Sequence, residues 1–436
     1  MDPVDQAGNL ISRGGRVHLI GTGGIGMAGV AFLLKARGFD VSGCDLQENR
    51  QTRWLQSCGV DIEFNHHESH IDESIDWVVR STAVPSTHPE LGRAQKRRIP
   101  VSRRGEVLSA LMRDRVCIAV SGTHGKTTTT AMLAQVLGCG YCVGGEVAGF
   151  AGVARDADVM VVEADESDGT VAGYLPDFSV ITNVEYDHME HHASESAFIG
   201  CFEKLIQNTK QRVYYCADDP ISVRLCSDHE KCEPFFFPDP PLALPLPGRH
   251  NQWNAAAAQV VARHWKSDQE ILGALTGIQP IRRRFETVFN KKDVRIISDY
   301  AHHPTEIATL IQTAKELKPR RLLGVFQPHR YTRTLALGPA FPPSFEGVDK
   351  LWIVPVYAAS EAPMDGGSSC DLAERFSENW KDKLYCCETL DEAWTQIQIE
   401  LRAGDLVLLI GAGDIEELAE RGKRLASGPT QLGSVH

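Results

Sequence analysis

Two glycine turns carry the groups through which this 436-residue chain can handle phosphate. The first is Gly21-Thr-Gly23-Gly24-Ile-Gly26, between a short apolar strand pattern at Arg16–Ile20 and an apolar helix pattern at 25–37. Glycines in such a turn let the backbone approach a diphosphate, which then sits at the positive end of the helix. Asp45 ends the next strand pattern, at 39–45, where a dinucleotide fold carries its ribose-binding acid. The spacing supports a diphosphate-bearing ligand and does not choose among nucleotides. The second turn is Ser121-Gly122-Thr123-His124-Gly125-Lys126-Thr127-Thr128. A full Walker loop has glycine where Val120 stands, yet the working end is kept. Gly125 allows close approach, Lys126 reaches the β/γ-phosphates, and Thr127 offers a hydroxyl to magnesium. A nicotinamide oxidoreductase needs only the first turn. ATP-driven chemistry on a nucleotide-linked substrate uses both, and a regulatory nucleotide-binding module remains a third option.

Acids and histidines follow the second turn. Glu163 comes directly after an apolar run, which makes it the expected magnesium carboxylate, whereas Asp165, Glu166 and Asp168 read as a solvated acidic loop. The next strand pattern runs into Thr182-Asn183-Val-Glu-Tyr-Asp187-His188, with His191 and His192 behind it. This H-x-x-H-H run has no neighbouring thiolate and fits zinc spacings poorly. His188 is expected at the ATP-bound ion, with His191 and His192 as spectators. Cys139-Gly-Tyr-Cys142 has redox spacing but follows a helix pattern instead of opening one, so no thiol chemistry is expected of it.

Alternating strand and helix patterns must position these groups, an arrangement that specifies α/β units with parallel sheets. The pattern restarts twice, giving expected domains at 1–114, 115–281 and 282–436. Strands are expected at 76–80, 116–120, 158–164, 178–184, 294–300, 321–326, 351–356 and 406–410. Helices are expected at 126–137 and from 254, the latter after a proline-rich stretch at 237–247. With 45 basic and 57 acidic residues the net charge is -12, which argues against a nucleic-acid surface. No apolar run approaches the ~18 residues of a membrane span. The acidic start lacks the apolar core of a secretory signal, and the twelve scattered cysteines read as reduced thiols, so a cytoplasmic protein is expected.

Taken in order, these motifs resemble the Mur ligases of peptidoglycan synthesis. The likeness runs from about Arg16 to about Leu418. Besides the two glycine turns it rests on Glu163-Ala-Asp-Glu-Ser-Asp168, Thr182-Asn-Val-Glu-Tyr-Asp-His-Met189, Pro247-Gly-Arg-His-Asn-Gln-Trp-Asn254 and Arg283-Arg-Phe285. Asp299-Tyr-Ala-His-His-Pro-Thr-Glu306 and Gln327-Pro-His-Arg-Tyr-Thr-Arg-Thr334 complete the series. The resemblance implies three domains: a Rossmann-like UDP-binding domain, a central P-loop ATPase-type domain with a mostly parallel sheet, and a Rossmann-like C-terminal domain for the amino acid. It implies that ATP and magnesium drive L-alanine onto the lactyl carboxylate of UDP-N-acetylmuramate through an acyl phosphate. Gly21, Gly23, Gly24, Gly26 and Asp45 would serve the UDP moiety. Gly122 to Thr128, Asn251, Asn254, Arg283 and Asp299 would serve ATP, with Lys126 at the γ-phosphate. Thr127, Glu163 and His188 would hold magnesium, while His302, Arg330 and Arg333 would face a carboxylate, a task suited to an arginine fork. Two stretches depart from the family's habit: the segment between Asp219 and Pro247 is short, and Thr170-Val-Ala-Gly-Tyr174 replaces a serine–phenylalanine continuation.

Overall fold

The computed structural model describes residues 2–166, 169–186, 194–359 and 361–427. The acidic start is a helix, Pro3–Arg13. Asp2 caps it by accepting the Val4 amide at 2.8 Å, and Pro3 occupies the first turn, where a missing N–H is harmless. Val4 and Ala7 join the core beside the helix Arg104–Leu111.

Three sheets follow. The first contains β1 (Arg16–Ile20), β2 (Asp40–Cys44), β3 (Asp61–Glu63), β4 (Trp77–Arg80) and β5 (Val101–Arg103), all parallel, in the order β3-β2-β1-β4-β5. This is the doubly wound order, whose crevice opens at the carboxyl ends of the strands where β1 meets β4. The second contains β6 (Val116–Ser121), β7 (Gly140–Cys142), β8 (Ala154–Arg155), β9 (Val159–Glu163), β10 (Phe178–Ile181), β11 (Arg212–Cys216) and β12 (Cys232–Phe235). Its order is β12-β11-β10-β6-β9-β7-β8, parallel except for the β7–β8 pair. The third contains β13 (Glu286–Lys291), β14 (Val294–Asp299), β15 (Arg321–Phe326), β16 (Lys350–Ile353), β17 (Leu384–Cys386) and β18 (Asp405–Ile410). Its order is β13-β14-β18-β15-β16-β17, parallel apart from the β13–β14 hairpin. The central strands are near-continuous Val/Ile/Leu runs because parallel strands are covered on both faces.

Residues up to Pro245, with Asn251–Gln279, form one compact unit; Leu246–His250 with residues from Pro280 onward form another. The first two sheets therefore share a unit. One apolar cluster joins Val30, Leu33 and Leu34 of the helix Ile25–Ala36 to Cys142, Val153 and Met160 of the second sheet. Trp54 stacks on Phe32 at 5.1 Å between ring centres and covers Gly152, where an added Cβ would lie 2.0 Å from the indole.

The helix expected from 254 starts earlier, at Arg249. Gly248, at φ +97, turns the chain directly after Pro247, so the helix begins as soon as the proline stretch ends. The short segment after Asp219 holds the helix Pro220–Cys226 and β12. Among the described residues no helix is long and apolar enough to cross a membrane.

Gly152→Ala is expected to lower stability in urea denaturation by about 1–3 kcal/mol, because the indole of Trp54 must move. Gly92→Ala, in the helix Pro89–Arg97 with nothing within 4 Å of the added Cβ, is expected to raise stability by about 0.5–1 kcal/mol.

Candidate active site

The first glycine turn follows β1. Gly21, at φ +85, and Thr22 both donate to the Cys44 carbonyl at the end of β2, at 2.9 and 3.1 Å. Gly23 donates to Asp45 Oδ2 at 2.7 Å and accepts from Asn49 Nδ2 at 3.0 Å. Asp45 thus braces the turn itself. Gly24 caps the helix Ile25–Ala36 without a side-chain bond, leaving the positive helix end open to an anion. The guanidinium of Arg104 lies against Gly26 and 3.6 Å from Asp165 of the second sheet. No sequence motif marks Arg104; it opens the helix Arg104–Leu111 after β5, and the packing of that helix on the helix Ile25–Ala36 brings it to the turn.

The second turn follows β6 and is clamped by the residues after β10. Thr123 donates to the Asn183 carbonyl at 3.0 Å, and His124 donates its amide to Asn183 Oδ1 at 2.9 Å. Asn183 Nδ2 and Thr182 Oγ1 return bonds to the His124 carbonyl at 3.0 and 2.6 Å, and His124 Nε2 meets Glu185 Oε2 at 2.9 Å. Gly125, at φ +83, passes so close to Asn254 that a Cβ there would lie 2.4 Å from Oδ1. Asn254 also accepts from Thr129 at 3.2 Å and donates to Asn251 at 3.2 Å, so both asparagines sit behind the turn. Thr128 is buried in the first turn of the helix Lys126–Leu137, which again lacks a side-chain cap.

Lys126 curls back over this turn. Its Nζ donates to the carbonyls of Gly122 and Thr123 at 2.6 and 3.1 Å and to Glu166 Oε1 at 2.9 Å. Glu166 is fully buried, which corrects the expectation of a solvated acidic loop; Asp165 is half-buried beside Arg104. Burial opposes the charge on Lys126, but the Glu166, Asp165 and Glu163 carboxylates outweigh it and hold the ammonium above the usual lysine range. Thr127 Oγ1 donates to Glu163 Oε1 at 3.1 Å, and Glu163 Oε2 accepts the Gly144 amide at 2.8 Å. A hydroxyl and a carboxylate meeting where a strand ends and a helix begins are the hard oxygen donors that suit magnesium. His188 lies outside the described residues, as do Asp168, His191 and His192. Cys139 and Cys142 are pushed by burial to about 11 and about 12, so neither supplies a thiolate.

The C-terminal unit gathers its own polar group. Asp299, at the end of β14, accepts from Phe285 and Ala301 at 2.7 and 2.8 Å, and burial raises its pKa. Arg283 stands over the Tyr300 ring at 4.7 Å and reaches Glu416 at 3.1 Å. His302 is 5.6 Å from His329 between ring centres, and His329 Nδ1 is 3.3 Å from the buried Arg333. Arg330 takes φ +66 just before the helix Tyr331–Leu337, its amide held by the Tyr357 carbonyl at 2.8 Å. His302 and Arg333 thus both lie against His329, with Arg330 next to it in the chain, and the motif reading assigned His329 no part of its own.

A phosphate cradle with a buried lysine, beside a second diphosphate-type turn on a doubly wound sheet, defines a nucleotide-driven α/β enzyme. Family models described as Mur ligase family catalytic domain, Mur ligase middle domain and Mur ligase glutamate ligase domain match residues 16–116, 120–237 and 283–413. A UDP-N-acetylmuramate–L-alanine ligase of Carboxydothermus hydrogenoformans is 37% identical, covering 92% of this chain and 95% of its own. One of Thermobifida fusca is 36% identical over 93% and 96%. The crystal structure of the UDP-N-acetylmuramate–alanine ligase of Thermotoga maritima superposes with a TM-score of 0.80 at 28% identity, over 95% of this chain and 99% of that one. The chain belongs to the Mur ligase family.

Replacing Glu166 by leucine is expected to destabilise the nucleotide-free protein by about 3–5 kcal/mol, since Lys126 keeps a buried charge without its partner. Adding Lys126→Met should recover much of that loss in urea denaturation. A change within about 0.5 kcal/mol for Glu166→Leu alone would mark a solvated residue instead.

Proposed function

We propose that this chain is an ATP-dependent ligase that joins L-alanine to the lactyl carboxylate of UDP-N-acetylmuramate, releasing ADP and phosphate, in peptidoglycan precursor synthesis. The observation that carries the reading is the pair of phosphate-binding turns on two different sheets, one backed by Lys126 and Glu163. An oxidoreductase would leave the second turn without a task. Both nucleotide substrates belong to the cytoplasm, which is where the reading puts the enzyme.

In this reading residues 1–114 hold the UDP moiety on the turn Gly21 to Gly26, with Asp45 keeping that turn in shape. Residues 115–281 hold ATP on Gly122 to Thr128, with Asn251 and Asn254 behind the turn. Residues 282–436 supply Arg283 and Asp299 toward the nucleotide and His302, Arg330 and Arg333 toward a carboxylate. Thr127, Glu163 and His188 would hold magnesium, which when bound offsets charge on the phosphate oxygens.

The chemistry follows from the poor leaving group of a carboxylate. A lactyl oxygen attacks the γ-phosphorus of ATP and ADP departs, giving an acyl phosphate. The alanine amine then adds to the acyl carbon, and the tetrahedral intermediate collapses with loss of phosphate, forming the amide. Lys126 contributes by exchanging its bonds to Gly122, Thr123 and Glu166 for phosphate oxygens, so that charge developing during transfer meets a preplaced cation. The glycine turns contribute in-line positioning.

Phosphate release from ATP should require UDP-N-acetylmuramate and L-alanine together. Fast hydrolysis with neither, or tight NADH binding, would contradict the reading. Lys126→Ala should lower turnover by at least ~10³-fold, as removal of a positioned charge from phosphoryl transfer does, while UDP-sugar affinity stays unchanged. Equal loss of both functions would assign the turns wrongly.

A further inference from the structure

A second polar cluster lies in the first sheet, beside the first glycine turn, and none of its side chains has a part in the reading above. His18 in the middle of β1, Cys44 at the end of β2, His70 in the 3₁₀ turn Glu68–His70 and Glu90 in the helix Pro89–Arg97 converge from four separate elements. Their ligand-type atoms all lie within 4.8 Å of one another. Glu90 is the hub: Oε2 is 3.1 Å from His18 Nε2, Oε1 is 3.2 Å from His70 Nδ1, and both oxygens are 3.2 Å from Cys44 Sγ. A zinc ion with tetrahedral arms of about 2.0–2.3 Å sets its ligand atoms roughly 3.3–3.7 Å apart; the Glu90 contacts at 3.1 and 3.2 Å lie just below that span, and no pair of the group exceeds 4.8 Å.

Three further features point to a cation. The Glu90 side chain is fully buried, and among the described residues its ion-pair partners are the histidines 18, 66 and 70, with no lysine or arginine. A buried carboxylate whose ion-pair partners are all imidazoles is placed to share a divalent ion with them, and such an ion with one carboxylate and one thiolate is neutral overall. His18 Nδ1 pairs with Ser42 Oγ at 3.0 Å, the outer bond that commonly orients a metal-binding imidazole through its other nitrogen. On the far flank of Glu90, His88 is buried with neither ring nitrogen hydrogen-bonded among the described residues, edge-on to His66 at 4.5 Å between ring centres. A buried polar group left in that state marks a place for another polar species.

We propose that His18, Cys44, His70 and Glu90 bind one divalent transition ion of the zinc class, with His66 and His88 lining the other side of the Glu90 carboxylate. Two imidazoles, one thiolate and one carboxylate form a borderline-soft set that selects zinc or cobalt over magnesium. Burial and the Glu90 carboxylate push the Cys44 thiol well above the usual thiol range, so its proton leaves to solvent only as the ion takes its place. The ion ties β1, β2, the 3₁₀ turn and the helix Pro89–Arg97 together one residue before Asp45, the brace of the first glycine turn.

The test is a cobalt titration of the chelator-treated full chain, with excess magnesium present to fill oxygen sites. The wild-type protein should take up one equivalent of cobalt with a thiolate-to-cobalt charge-transfer band, and one equivalent of zinc should displace it. Cys44→Ser should lose the band. His70→Gln should weaken binding by at least the ~10–100-fold that even an outer-bond change costs. His229→Ala, exposed and between β11 and β12 of the second sheet, should titrate like the wild type. Zinc should raise the Tm of the wild type but not of Cys44→Ser, as a ligand of the folded state does. No thiolate band in the wild type, a band that survives Cys44→Ser, or a wild-type Tm indifferent to zinc would each overturn the proposal. Those outcomes leave the cluster as a hydrogen-bonded hub around Glu90.

Discussion

An ammonium group folded back into a glycine turn, largely away from water, must be neutralised by the protein itself. Lys126 is held this way, with its Nζ shared between two loop carbonyls and the buried Glu166. The arrangement explains the neighbourhood. Glu166 must be inside, so the acidic stretch after β9 folds back toward the turn. Glu163 stays at the strand end, paired with Thr127, and Asn254 behind Gly125 leaves no room for a Cβ. Removing a partner from such a pair costs more than the pair contributes, because the remaining charge stays desolvated.

The two glycine turns answer the same demand, open amides at a helix N-terminus, with different braces. Asp45 and Asn49 hold the first from the ends of their own sheet. Thr182 and Asn183 hold the second from the neighbouring strand β10. Neither helix spends a capping side chain, so both keep their orphan N–H groups for a ligand. The brace residues are polar, short and adjacent to strand ends, which fixes them without long flexible side chains.

The strand–turn–helix units and their glycines were legible in the sequence because a parallel central strand is a continuous apolar run followed by a glycine. The helix Lys126–Leu137 and the strand Arg321–Phe326 match the expected spans. What could not be read is what tertiary packing decides. Glu166 looks like any acid in Glu-Ala-Asp-Glu until Lys126 folds onto it, and Arg104 reaches the first turn only through the packing of its helix on the helix Ile25–Ala36. The β13–β14 hairpin turns on Lys292 and Asp293, both at positive φ, without the Asn-Gly signal that marks such turns. Short edge strands such as β3 and β17 carry too few residues for an alternation to show. The roles of the C-terminal residues rest on the family likeness, since a His302, His329 and Arg333 group has no spacing signature of its own.

On the proposed function, the second turn delivers the γ-phosphoryl group of ATP to a carboxylate and not to water. This is tested most directly with UDP-N-acetylmuramate carrying ¹⁸O in the lactyl carboxylate, turned over with unlabelled ATP and L-alanine, and mass analysis of the released phosphate. An acyl phosphate places a carboxylate oxygen in each phosphate formed, so the account predicts one ¹⁸O per phosphate when the label is complete. Phosphate free of ¹⁸O while the amide accumulates would contradict it.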